Sequence, residues 1–525
     1  MNHTHTTPLT AAALAATVLL PAAVANAESI DLRITVRNIA PDDGVRLTPT
    51  WIGFHDGTFD SYDGGSPSSP ELERIIEDGN TGPFNELFDA SGAGAAQATM
   101  AADLGIPVIE PGETASMIIR VDAASPMARY FSYVSMIVPS NDAYVANGNP
   151  TAHPVFTADG AFIPTTFQIM GSAINDGGTE VNDELPENTA FFGQMTPDTG
   201  VDENGVNVDH PGFLPVGSGG ILDDPRFAGA DFTAAGYAVA EVTIEQVELV
   251  RLRVEVSNRA PVLGTALTPT WIAFHDGVFD TYDGGSPSTP EFERLVEDGN
   301  TGPLSDLFNF TSTGVDATLA SDSGIPVIQF EETATFEIEL DPMDPRVRYF
   351  SYASMIVPSN DAYVANGNPL AHRIFDADGN FLGAEFDIFG DEVGDAGTEV
   401  NDEVPANTAF FGQMAPDTGV DENGVNTAHP GFLAIENGGI LATPAFQNAD
   451  FTQDGYRIAR IRVSLAGGCR TDIFGGDGVT GFGDLLTLIS NFGTDRTGAE
   501  LAFPFDTVDM ADLLYLLSEY GPCGG

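Results

Sequence analysis

The chain contains no lysine. All 19 of its basic residues are arginines, set against 77 aspartates and glutamates, for a formal charge of −58. So acidic a chain excludes nucleic acid as a partner, because binding a polyanion needs clustered basic groups that release counterions. The charge suits a chain that stays solvated in salty surroundings or binds divalent cations. Motifs of catalysis are missing too: there is no Gly-x-Ser-x-Gly elbow, phosphate loop or catalytic cysteine. Three histidine pairs, His55/His275, His153/His372 and His210/His429, fall in no HExxH-like spacing, so core or turn roles are expected. Carboxylate pairs abound, but among this many acids some lie at suggestive distances by chance. The expectation is a non-enzyme. After residue 27 no stretch is apolar for long enough to cross a membrane. Disorder is excluded as well, since apolar content of 42% is close to the globular norm.

What is present is repetition. RYFSYVSMIVPSNDAYVANGNP, Arg129 to Pro150, returns at Arg348 to Pro369 with one change, Val134 to Ala353. Gly178 to Asn207 returns at Gly397 to Asn426 with three changes in thirty positions. Leu32 to Pro41 matches Leu252 to Pro261, and Leu47 to Glu71 matches Leu267 to Glu291, so the offset is 220, falling to 219 from Arg129 onward. Each copy spans about 215 residues, a size that suits one all-β domain.

The first residues read as an export signal. Pro8 to Val24 is mostly Ala, Leu, Thr and Val, and Ala25-Asn26-Ala27 supplies a small-x-small cleavage pattern, although no Lys or Arg precedes it. Alternating runs at Leu32–Val36, Ala115–Val121, Ala240–Val247 and Ala334–Leu340 read as half-buried strands. The aromatic and β-branched run from Arg348 to Val357, ended by Pro358, reads as a central strand. One helix is expected over Pro70–Gly79, capped by Ser69, with Leu72, Ile75 and Ile76 facing the core. The segment from Thr81 to Met127 differs most between copies, and Phe88 to Thr99 within it is expected to be exposed and to carry partner choice.

Asp142 follows the strand that Pro139 ends, and Asp176 and Glu180 share a Gly-rich turn. Two such loops meeting at one end of a sandwich would gather carboxylates for a cation, calcium taking six to eight oxygens. The alternative is that these acids form Asx turns and cap loops. The strand ending Ser-Met-Ile-Val-Pro-Ser-Asn-Asp-Ala-Tyr-Val-Ala, followed some thirty residues later by Asp-Gly-Gly-Thr-Glu (Asp395-Ala-Gly-Thr-Glu399 in the second copy), resembles the spondin domain of F-spondin, mindin and bacterial relatives. The resemblance covers about 430 residues in two copies. Asn141 stands where that family has a proline, Ala143-Tyr144 where it has Trp-Phe, and Glu180 where it has Asp. The resemblance implies a β-sandwich akin to C2 domains with calcium near one end, held by Asp142, Asp176 and Glu180 and by Asp361, Asp395 and Glu399. Two further acidic stretches, Asp56/Asp60/Asp63 and Asp198/Asp202/Glu203, recur as Asp276/Asp280/Asp283 and Asp417/Asp421/Glu422 and are expected to be turns and acidic loops.

The tail is different. Cys469 and Cys523 bracket it and, in an exported chain, are expected to form a disulfide. Gly476 to Ile489 resembles half of a dockerin, a calcium loop leading into a helix, with Asp477 and Asp484 at two ligand positions and Asp472 one residue too far upstream for a third. Phe505 to Leu517 resembles a degenerate second half. Leu485, Leu486, Leu488 and Ile489 are expected to pack against Leu513, Leu514, Leu516 and Leu517.

The expected architecture is mainly β. It comprises a signal peptide (1–27), two tandem C2-like antiparallel sandwich domains (28–248 and 249–466) and a small helical dockerin-like module (467–525). The expected function is secreted, calcium-dependent adhesion or matrix contact with an extracellular protein or glycan, at or near the cell surface, the tail docking to a partner. A C2-like lipid or polyanion binder and an extracellular polysaccharide hydrolase are the alternatives.

Overall fold

The computed structural model describes residues 29–197, 199–321, 323–416, 418–466, 471, 473, 479–494, 501 and 507–522. The proposed signal peptide, Asp198, Asp417, Cys469, Asp472, Asp477 and Cys523 lie outside the described residues.

The chain is mainly β, with four antiparallel sheets in two sandwich-like pairs and six short helices among the described residues. The first copy runs β1 (Ser29–Asn38), β2 (Arg46–Leu47), β3 (Thr50–His55), α1 (Pro70–Asp78), α2 (Gly82–Ser91), β4 (Gly94–Met100), β5 (Thr114–Asp122) and β6 (Tyr130–Val138). It continues with β7 (Ala143–Ala146), β8 (His153–Pro154), β9 (Thr165–Met170), β10 (Ile174–Asp176), β11 (Val208–Asp209) and β12 (Ala238–Val247). The second copy repeats the series as β13 (Val250–Asn258), β14 (Ala266–Leu267), β15 (Thr270–His275), α3 (Pro290–Asp298), α4 (Gly302–Thr311), β16 (Val315–Leu319), β17 (Thr333–Leu340) and β18 (Tyr349–Val357). Then follow β19 (Ala362–Ala365), β20 (His372–Arg373), β21 (Ala384–Phe389), β22 (Gly394–Asp395), β23 (Thr427–Ala428) and β24 (Arg457–Leu465). The tail holds β25 (Val479–Thr480), α5 (Phe482–Ser490), α6 (Met510–Ser518) and β26 (Gly521–Pro522).

In each copy a small sheet, ordered β5-β1-β12-β9 in the first, faces a larger one ordered β11-β10-β7-β6-β3-β4. The patterns of the strands follow from that layering. On β1, Leu32, Ile34 and Val36 are buried while Arg33 and Thr35 remain partly exposed, because only one face of the small sheet meets the core. β6 is buried on both faces along nearly its whole length. Phe131, Tyr133 and Ile137 pack toward Leu32, Ile34 and Val242, and Val134 packs the other way with Trp51, Ile75 and Phe84. That second layer is helical.

Helix α1 forms where the sequence signals place it. The Ser69 hydroxyl accepts from Leu72 N at 3.1 Å, Pro70 opens the first turn, and Gly79 closes the helix at φ 67°. Leu72, Ile75 and Ile76 are buried, as expected. Beside it lies α2, which the sequence reading missed. Phe88, expected to be exposed, is 2% exposed and sits 5.2 Å from the Trp51 ring and 4.8 Å from that of Phe59. Residues Gly94–Met100, in the same segment, pair with β3 rather than forming a free loop. The buried Phe88 is kept as Phe308, whereas the exposed Asp89, Ala90 and Ser91 become Asn309, Phe310 and Thr311, so the divergence at the end of α2 falls on its outer face.

In the tail, Leu488 and Leu516 are fully buried against Leu501 and Val508, with Leu485 and Leu513 half-buried beside them. The other half of the expected face turns outward: Leu486, Ile489, Leu514 and Leu517 are exposed. Two nine-residue helices can bury only one stripe each, and the contact takes the residues nearest the crossing.

Candidate functional site

At the end of β6 the chain turns through Pro139, Ser140 and Asn141 and presents Asp142 at the head of β7. The Ser140 hydroxyl accepts from Ala143 N at 3.1 Å, and the Asn141 amide donates to Val181 O at 2.5 Å, fastening this turn to the loop after β10. Asp142 is fully buried. Its Oδ2 accepts from Thr179 N at 2.9 Å, from Glu180 N at 3.2 Å and from the Thr179 hydroxyl at 3.3 Å. Its Oδ1 is buried and has no hydrogen-bond partner. Burial first, and the neighbouring Asp176 charge second, push the Asp142 carboxyl up to about 7.

Asp176, at the end of β10, is also buried, and pairing of Asp176 with Ala143 brings it beside Asp142. Its Oδ1 accepts from Gly178 N at 2.8 Å and its Oδ2 from the Asn182 amide at 2.6 Å. Gly178 has φ 63°, and a β-carbon there would lie 2.5 Å from Val206 N, so the turn that aims Thr179 and Glu180 at Asp142 requires glycine. Glu180 reaches the cluster through its backbone, while its Oε1 accepts from Gly200 N at 2.8 Å.

The second copy reproduces the arrangement. Asp361 Oδ2 accepts from Thr398 N at 3.0 Å and from Glu399 N at 3.2 Å, Oδ1 is again without a partner, and the carboxyl is again pushed up to about 7, by burial and then by Asp395. Asp395 accepts from Gly397 N at 2.9 Å and Asn401 at 2.6 Å, and Glu399 from Gly419 N at 2.7 Å. The structure thus brings together two of the three expected acids in each copy as a side-chain pair, the third joining by its main chain. Among the described residues, no group of three or more His, Cys, Asp or Glu side chains is arranged to hold a metal ion.

The other acids fall into humbler places. Asp56 Oδ1 accepts from Thr58 N and the Thr58 hydroxyl at 2.8 and 2.6 Å, an Asx turn repeated by Asp276 and Val278 N at 2.9 Å. Asp202 and Asp421 lie on exposed loops that bridge to Glu180 and Glu399. In the tail, Asp484 Oδ2 accepts from Gly481 N at 2.7 Å and so caps α5, as Asp512 caps α6 by accepting from Asp509 N at 2.7 Å. The histidines hold turns and packing as expected. His55 Nδ1 accepts from Gly57 N at 3.0 Å, leaving Nε2 to donate to the Ser132 hydroxyl at 2.8 Å, and His153 stacks 3.7 Å from Phe167.

One residue of the site escaped sequence reasoning. Asn207, buried, accepts from the Tyr144 hydroxyl at 2.7 Å and from the Ser68 hydroxyl at 2.9 Å, and donates to Ser66 O at 2.8 Å. It ties the turn before α1 to β7, and the Ser68 hydroxyl, also 3.0 Å from Gly177 O, extends the tie to the acidic loop. Its position inside the repeated Gly178–Asn207 block was the available signal.

Fold and site define the class: an antiparallel β-sandwich protein with a buried aspartate pair at one end of each larger sheet. No protein-family model matches this sequence, and no curated protein matches it.

Proposed function

We propose that the chain is a secreted, non-enzymatic calcium-binding protein of adhesion or matrix contact, built from two spondin-like modules with a docking tail. The observation that carries this reading is the Asp142 Oδ1 atom, repeated at Asp361: a buried carboxylate oxygen without a partner, beside a second buried acid. An ionised carboxylate so placed is costly unless a cation or a proton compensates it. Asp142, Asp176 and Glu180, with Asp361, Asp395 and Glu399, are the residues that would hold calcium, backbone and water oxygens making up the six to eight it takes. The ion would supply the positive charge that lets the buried Asp142, and Asp361 in the second copy, ionise, locking the turn after β6 to the loop after β10. Two copies in series allow avidity toward an extracellular protein or glycan, because the second contact becomes intramolecular once the first has formed. The exposed apolar side chains on α5 and α6, among them Phe482, Leu486, Ile489, Leu514 and Leu517, favour a docking role for the tail.

The test is calcium titration of the full chain by calorimetry, native against Asp142→Ala with Asp361→Ala. Two saturable sites lost in the variant, with a calcium-dependent rise in melting temperature of the native chain alone, are expected. Absence of binding would leave a proton on Asp142 and on Asp361 as the compensation and remove the metal from the account. Co-sedimentation with anionic liposomes only in calcium would redirect the reading to a C2-like lipid binder, and glycan cleavage to a hydrolase.

A further inference from the structure

Each small sheet ends in an edge strand, and the two edges are guarded unequally. Among the described residues β5 pairs with β1 alone, and in the second copy β17 pairs with β13 alone. At equivalent positions β5 carries Ile118 and Arg120 where β17 carries Glu337 and Glu339. Acids along an edge keep other strands from adding to it, and Arg253 Nε holds Glu337 in that place at 3.0 Å. Ile118, 37% exposed, sets up no such barrier.

Asp103 shows which backbone groups of β5 are open. Its N–H donates to Thr114 O at 2.8 Å, and its Oδ1 accepts from Ser116 N at 2.8 Å. Thr114 and Ser116 therefore turn their peptide groups away from β1, and by the alternation of an antiparallel pair Ile118 and Arg120 do the same. Asp103 thus stands as the first rung of a further strand, and the ladder stops there. Ser116 O, Ile118 N and O, and Arg120 N have no protein partner among the described residues.

A cleft of about 310 Å³ runs along this edge. Met117 and Ile118 both line it, although neighbours on a strand point to opposite faces, so the cavity lies against the edge itself. The second copy supplies the facing wall, with Val315, Leu340 and Val347 as its apolar part. Four acids line the cleft, Asp103, Glu339, Asp341 and Asp344, against two arginines, Arg33 and Arg346. We propose that the free edge of β5 docks an extended peptide segment of a partner protein, added as a further strand, with an apolar side chain beside Ile118 and basic side chains toward the surplus of acids. Main-chain hydrogen bonds supply the affinity, and the wall from the second copy confines the site to one per chain. Another molecule of this chain is the poorer occupant, because it brings the same charge of −58. The site uses none of the acidic loops and does not depend on calcium.

The test uses the full chain in EDTA at moderate salt. The pentapeptides Ac-Arg-Thr-Zaa-Thr-Arg-NH2, with Zaa as Val, Ile, Leu, Phe or Tyr, are titrated by calorimetry. Each is set against a version N-methylated at its three central residues, which keeps every side chain and charge but cannot donate to a strand. One site per chain is expected for at least one peptide, weakened about tenfold or more by the N-methylation and by Ile118→Pro, which removes the outward N–H at a position where edge strands accept proline. Hydrogen-exchange mass spectrometry should show the peptide protecting β5 and not β17. The N-methylated peptides need no variant and decide the matter if Ile118→Pro misfolds. Equal binding of an N-methylated peptide, protection of β17 in place of β5, or no saturation by any of the peptides below about 10 mM would each overturn the proposal. So would a concentration-dependent dimer that forms without peptide and is abolished by Ile118→Pro, which would make the edge a surface for self-association.

Discussion

Asp142 is where the acid-rich composition becomes a local electrostatic problem. Its carboxyl, raised to about 7 from an ordinary value near 3.8, binds a proton in the folded chain that the unfolded chain releases. The stabilisation from that proton is complete below about pH 4 and is lost as the pH rises to about 7. Replacing Asp142 and Asp361 by Asn should therefore raise the stability of the calcium-free chain at pH 7.5 by about 1–3 kcal/mol and have little effect at pH 4. In calcium the order should reverse, the native chain melting higher, because metal binding needs the ionised carboxylates. Scanning calorimetry in EDTA and in calcium reads both halves, and a variant that is destabilised in EDTA would refute the argument. The buried and half-buried histidines act in the opposite sense. His55, His153, His210, His275, His372 and His429 are each lowered to about 4, chiefly by burial, so the unfolded chain takes up the protons first. Their contribution is present above about pH 6.5 and lost as the pH falls toward 4. A melting temperature that declines steadily across that window is expected by circular dichroism, and a flat profile would contradict it.

Secondary-structure elements differ in how openly the sequence declares them. β1, β5, β12 and β17 are legible because a half-buried strand must alternate, and α1 because Ser69, Pro70 and Gly79 mark its ends. α2 hides: Thr81 makes no capping bond through its side chain, glycine and proline open the helix, and only Phe84 and Phe88 are fully buried. The Asp142–Asp176 pair was legible from motif spacing, but the unpartnered Oδ1 and the Asn207 hub depend on three loops converging, which no local pattern encodes. Exchanges between the copies were open to view but not to interpretation: Leu72 becomes Phe292, which packs edge-on against Tyr363 at 5.0 Å, as Asn175 becomes Gly394. A like exchange couples α1 to the acidic loop. A β-carbon at Gly177 would lie 2.2 Å from Ile76 Cδ1, and the second copy carries Ala396 together with the shorter Val296. At this scale the prediction concerns α2. Phe88→Ala should cost about 3–5 kcal/mol, since it empties a packed contact with Trp51 and Phe59. Denaturant unfolding would show it, and a loss below about 1 kcal/mol would return the segment to the exposed role first expected of it.

Across the whole molecule the two copies meet through ions as well as through the short link between β12 and β13. Arg33, on the small sheet of the first copy, reaches Asp341 at 3.0 Å and Asp344 at 2.8 Å in the second. Arg346 returns the contact to Asp103 at 3.4 Å, and Arg120, itself half-exposed, reaches Glu339 at 2.8 Å. Gly105 N donates to Phe310 O at 3.2 Å across the same seam. In a chain with 77 acids and 19 arginines, committing three arginines to one junction leaves fewer for the rest of the surface. Arg33 is only 13% exposed and its two acids less than that, so salt screens this pair weakly and removal of the arginine strands buried charge. Arg33→Met should therefore destabilise the chain by about 1–3 kcal/mol, Arg346 still holding Asp344. Its more telling effect should be on cooperativity. The native chain is expected to unfold its two copies in one calorimetric transition, and Arg33→Met with Arg346→Met to separate them into two, with the higher-melting copy left folded after the first. A single unchanged transition in the double variant would show that the junction is a contact without coupling. Each copy would then have to hold its aspartate pair by its own core alone.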